Sequence, residues 1–164
     1  MTKLFNLVFL VGLLFTFPVA VEAQPHPFVV FQSKSMSSDT VAITLKQAGD
    51  GRRIIYPAAA VLECPSATTL SIEIDSTSPA TTTAVTPTSK SPTRRASGAS
   101  AFINSNATGG TVIATITAPA ATAVMIDLTD EVYLPAKTGD FDLTLRSGTV
   151  TSGTCRAWLS WVEP

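Results

Sequence analysis

Short runs in which apolar and polar residues alternate one by one recur along this chain, and apolar spacing of helical period is hard to find. Val41, Ile43 and Leu45 alternate with Ala42, Thr44 and Lys46, and Leu70, Ile72 and Ile74 alternate with Ser71, Glu73 and Asp75. The pattern returns at Val112–Ile116, Val124–Leu128, Phe141–Leu145 and Cys155–Trp161. A period of two puts every second side chain on one face of a strand, so each run reads as half-buried β-structure. Adding Arg53–Tyr56 and Ala59–Glu63 gives about eight strands, with Phe28–Phe31 as a further short one. Gly49-Asp50-Gly51, Gly109-Gly110, Lys137-Thr138-Gly139-Asp140 and Ser147-Gly148 supply the turn chemistry between them. Crossover helices are missing, which excludes a parallel α/β fold and predicts an all-β antiparallel sandwich of jelly-roll type. An immunoglobulin-type sandwich would place a tryptophan between its two cysteines, whereas Trp158 and Trp161 both follow Cys155.

The N-terminus has another character. Lys3 precedes an apolar stretch from Leu7 to Phe17, Pro18 breaks it, and Val21-Glu22-Ala23 offers a small-residue cleavage site. This order predicts a helical signal peptide over residues 1–23, and hence a secreted or extracytoplasmic product. The competing reading is a retained membrane anchor, since Leu4 to Val21 is almost long enough to span a bilayer. Cleavage leaves residues 24–164 with no membrane span. Residues 24–40 then form an N-terminal extension and residues 41–164 the sandwich. In an oxidising compartment the two cysteines, Cys64 and Cys155, are expected to pair.

Residues 76–108 stand apart, dominated by Thr, Ser, Ala and Pro with a basic cluster at Lys90, Arg94 and Arg95. A long excursion of this kind is a flexible surface loop or an arm that reaches a neighbour, with Arg94-Arg95 as its charged tip. Ala80 to Thr86 reads as a strand that shortens it. Asn106-Ala107-Thr108 fits the N-glycosylation pattern.

Catalytic machinery is hard to assemble from these residues. The one histidine, His26, falls between Pro25 and Pro27 and reads as a tail residue, so neither a Ser-His-Asp triad nor a histidine zinc site is expected. There is no C-x-x-C, G-x-S-x-G, P-loop or dinucleotide-binding glycine pattern, and no cofactor is predicted. Glu73 and Asp75 share a strand face and are the only acids worth weighing as a hydrolase pair. Asp127, Asp130 and Glu131, and likewise Asp140 and Asp142, bracket turns. Closing those turns explains them better than holding a hard cation. A formal net charge of −1 with few ionised side chains argues against nucleic acid. Trp158 and Tyr133 are the candidates for a sugar-stacking platform, with packing against a loop or another subunit as the alternative for Trp158.

Several stretches, taken in order, resemble a known family. They are Gly51-Arg52-Arg53-Ile54-Ile55, Thr83-Ala84-Val85-Thr86-Pro87, Arg94-Arg95-Ala96-Ser97, Gly109-Gly110-Thr111-Val112-Ile113, Leu134-Pro135-Ala136-Lys137-Thr138-Gly139 and Leu159-Ser160-Trp161-Val162-Glu163-Pro164. Over Val41 to Pro164 the chain resembles small β-sandwich minor structural proteins of tailed phages, found on virion or capsid surfaces. The resemblance implies a non-enzymatic module that self-associates or decorates a shell. The signal peptide and the cysteine pair depart from that family, which as a rule has neither. The expected partners are another copy of the chain or a protein surface on a shell, filament or envelope. A secreted module for glycan or a small ligand is the alternative.

Overall fold

The computed structural model describes residues 25–47, 53–76, 83–92, 95–136 and 141–164. The expected signal peptide, the 49–51 and 137–140 turns and Arg94 lie outside them. Eleven strands follow in chain order: β1 (His26–Met36), β2 (Ala42–Gln47), β3 (Tyr56–Glu63), β4 (Thr68–Ile74), β5 (Ala84–Val85), β6 (Thr88–Ser89), β7 (Ala99–Ile103), β8 (Thr111–Ala118), β9 (Val124–Asp127), β10 (Asp142–Ser147) and β11 (Gly153–Glu163). They form two antiparallel sheets, one of order β6-β1-β11-β3-β9 and one of order β5-β7-β2-β10-β4-β8.

The pairing is nested. β1 pairs with β11, β2 with β10, β3 with β9, β4 with β8 and β5 with β7, and these pairs are shared between the two sheets. The chain is therefore one long antiparallel ribbon that doubles back around β6 and is rolled into a sandwich, the jelly-roll arrangement. Among the described residues no strand pairs with its immediate chain neighbour, so each of these ladders closes a long loop before it forms.

The expected alternation holds in the core. Phe28 and Val30 of β1, Ile43 and Leu45 of β2, Leu70 and Ile72 of β4, Leu143 and Leu145 of β10 and Leu159 and Trp161 of β11 are buried together between the sheets. Phe28 stacks on Trp161 with ring centroids 5.9 Å apart. Pro57 lies inside β3 next to a register shift in its ladder with β11, and outside the stretch Ala59–Leu62 that pairs with β9. A residue without an N–H is tolerated at such a bulge.

Two expectations about the ribbon's ends change. Residues 26–36, read as part of an extension with a short strand at Phe28–Phe31, are one eleven-residue strand inside the sheet, and His26 belongs to it rather than to a tail. The run Gln32-Ser33-Lys34-Ser35 hid this strand because Gln32 is polar yet faces inward. Its amide exchanges hydrogen bonds with Asn104, donating to Oδ1 at 2.6 Å and accepting from the backbone N at 3.3 Å. The described part of residues 76–108 is not a structureless arm either. Three strands, β5, β6 and β7, fall within them, and β7 joins β2 over five residue pairs.

Gly153 opens β11 with φ of +95°, and a Cβ there would lie 2.3 Å from Cγ of Pro65. Neither the left-handed backbone nor the rigid proline ring can yield cheaply. Gly153→Ala is expected to cost about 1–3 kcal/mol, read as a lower urea midpoint with an unchanged m-value.

Candidate contact surface

The outer faces of the two sheets differ. On the six-stranded sheet the outward positions are mostly polar, with Phe102 and the exposed Val112 as exceptions, and the connection from β7 to β8 crosses over part of them. Thr44 Oγ1 lies 2.6 Å from both Thr144 Oγ1 and Ser105 Oγ. Arg146 donates to the backbone oxygen of Ala107 and, through Nε, to Glu73 Oε1 at 2.9 Å. Residues 104–110 thus strap this face, which is why Thr44 and Thr144 are buried although they point away from the core. Asn106, the glycosylation candidate, is an exposed residue of that strap.

The five-stranded sheet carries no such strap among the described residues, and apolar side chains form rows across its outward face. Register places Phe31 beside Trp158, Trp158 beside Val61, and Val61 beside Met125, one row across four strands. Phe31 is 47% exposed and Met125 58%. Trp158 is half-buried against Phe31, their centroids 5.2 Å apart and their planes inclined by 47°. Pro27, Val162 and the exposed Tyr56 form a second apolar row, separated from the first by Val29, Ser160, Ala59 and Asp127. Arg156 and Glu63, 4.0 Å apart, border the patch at the disulfide end. At its β9 edge Asp127 accepts a hydrogen bond from the backbone N of Thr129 at 2.9 Å, which holds its carboxyl below the usual range. That bond closes a turn, the role expected of Asp127.

Tyr133 stands elsewhere. It is 62% exposed and lines a cleft of about 360 Å³ with Ile74, Asp75, Leu134, Phe141 and Asp142. The structure therefore does not join it with Trp158 into one platform. Within the cleft Asp142 is buried, and its Oδ1 accepts from the backbone N of Ser76 at 2.8 Å. The proposed acid pair is also separated. Glu73 is bound to Arg146, whereas Asp75 lies past the end of β4 with φ of 53° and is exposed.

Of the basic cluster, Lys90 and Arg95 lie among the described residues. Lys90 is exposed, and its backbone N donates to the oxygen of Pro27 at 2.8 Å, beside β6. Arg95 is tied to the other end of the chain. It donates to the backbone oxygen of Pro164 at 2.8 Å and lies 3.7 Å from Glu163. Glu163 is wholly buried, a residue that sequence reasoning missed. Its Oε1 accepts from Ser97 Oγ at 2.5 Å and from Trp161 Nε1 at 3.1 Å, while its Oε2 accepts from Gly98 N at 2.8 Å and from Arg53 at 3.4 Å. One signal was present in the sequence, because Glu163 falls on the inward parity of Cys155, Ala157, Leu159 and Trp161.

Cys64 and Cys155 form a buried disulfide between β11 and the residue following β3, with Cα atoms 4.3 Å apart. Such a bond is compatible with an extracellular location. No helix among the described residues is long and apolar enough to cross a membrane. Comparison of the chain with protein-family models, with curated proteins and with solved structures returned no match.

Proposed function

We propose that this chain is an exported, non-enzymatic structural module that works by protein contact, of the kind that decorates a virion, filament or envelope surface. The observation that carries the reading is the bare apolar face of the five-stranded sheet, centred on Phe31, Trp158, Val61 and Met125. A contiguous apolar patch left to solvent opposes solubility and marks a place where another macromolecule binds. Aromatic and methionine side chains are enriched at the buried centres of such contacts. The opposite sheet shows the contrast within one molecule, since the centre of its outer face, at Thr44, Thr144, Glu73 and Arg146, is polar and strapped. Glycan binding takes second place because Trp158 leans on Phe31 and Tyr133 is placed apart from both.

The test is fractionation of a culture that exports the chain by its own N-terminus, with intact mass to establish loss of residues 1–23. The mature protein is expected to co-sediment with particles or envelopes. Phe31→Lys combined with Met125→Lys should shift it at least tenfold toward the soluble fraction, a loss of about 1.4 kcal/mol or more of binding. Both positions are exposed, so their replacement should leave the melting curve unchanged. Equal distribution of the two proteins would overturn the reading, and binding of sugars abolished by Trp158→Ala would replace it with the glycan one.

A further inference from the structure

We infer that two copies of this chain pair through their β8 edges, antiparallel and about a two-fold axis. This surface is distinct from the apolar face above, and the inference stands or falls separately from that reading. β8 is the last strand of the six-stranded sheet and is bonded to β4 on one side only. Among the described residues no strand pairs with its other side, which leaves a row of open backbone N–H and C=O groups, a ready template for a further strand. Natural sheets blunt such edges with lysine, inward charges, proline or a covering loop. Here the stretch from Ala107 to Ile126 contains no Asp, Glu, Lys or Arg, and its proline, Pro119, falls just beyond the strand. Val112 is 55% exposed, and Ile113 and Ile116 are exposed beside it. One edge device is present, a register shift between Ile72 and Glu73 that bulges β8 at Ile113. It lies in the first half of the strand and leaves Ala114–Ala118 in regular register.

The partner follows from the other edges. β9 has four residues, and β5 and β6 have two each, against eight in β8. None of these can match β8 along its length, so the edge on a second copy that does so is β8 itself. Thr, Ile and Ala then face their own kind with no charge brought against like charge. An isologous contact of this type closes on itself, giving a dimer rather than a filament. The two six-stranded sheets become one continuous sheet across the seam.

Light scattering on the exported, oxidised protein should report a dimer. Thr115 and Thr117 are exposed on β8 and sit between its inward positions Ala114, Ile116 and Ala118. Replacing both with Lys should raise the dimer dissociation constant at least tenfold without moving the melting curve, whereas Phe31→Lys with Met125→Lys should leave the dimer intact. Hydrogen exchange gives a second readout that needs no variant. Amides of Ala114–Ala118 that point away from β4 should be protected at high concentration and exchange freely on dilution. A wild-type monomer up to millimolar concentration, a dimer unaffected by the two lysines, or concentration-independent exchange along β8 would each overturn the inference.

Discussion

Glu163→Ala is expected to lower the unfolding free energy by about 2–4 kcal/mol. The carboxylate is wholly buried and takes hydrogen bonds from Ser97, Gly98 and the Trp161 indole, with the guanidinium groups of Arg53 and Arg95 close by. Removing it strands a buried backbone N–H and an indole N–H, and takes the counter-charge from two arginines. Those arginine side chains keep 35% and 28% of their exposure. Water can therefore reclaim them, which holds the cost below that of breaking a fully buried ion pair. The melting temperature should fall by roughly 6–12 °C. The loss should also be local, since Glu163 is what fastens residues 95–98 to the end of β11. Proteolysis in the stretch between β6 and β7 should accelerate before global unfolding does. Glu163→Gln keeps the shape and an acceptor and should lose about half as much. A Glu163→Ala protein within about 0.5 kcal/mol of the parent would mean that the clamp contributes nothing.

The second large effect belongs to the disulfide. Replacing Cys64 and Cys155 together with Ala is expected to cost about 2–5 kcal/mol, measured by denaturant unfolding under oxidising conditions. The sequence separation of 91 residues makes the closed loop long. The entropic model puts its effect on the unfolded chain near 4–5 kcal/mol, an upper figure because unfolded chains keep residual structure. The bond joins strands already paired in the folded sheet, so it acts mainly by limiting how far the unfolded ribbon can open. Both cysteines are buried in the core, and the alanines would leave small cavities in addition. Because no described strand pairs with its chain neighbour, refolding of the reduced protein should slow more than its stability alone suggests. Stability unchanged on reduction would show that the nested ladders suffice without the cross-link.

How much of this was readable in advance follows from where the physics is local. Period-two runs such as Leu70–Ile74 and Phe141–Leu145 announce strands because a half-buried strand must alternate, whichever partner it later finds. The all-β class and the pairing of Cys64 with Cys155 needed little more than that and two cysteines in one domain. β1 escaped in its second half because Gln32 is an inward polar residue whose partner, Asn104, lies 72 positions away. β5 fell within the expected strand Ala80–Thr86, but β6 and β7 escaped because strands of two to five residues rich in Ser, Thr and Ala resemble loop by composition. They exist through the neighbours that pair with them. The same holds for the surfaces. Trp158 could be assigned to an outward position from parity alone, but its row with Phe31, Val61 and Met125 depends on the registers of three ladders. Alternation along the chain thus determined which side of each strand is apolar. Only the tertiary structure decided which strands are neighbours, which outer face is left bare and which edge is left open, because those properties depend on pairings between residues far apart in sequence, and local pattern carries no record of them.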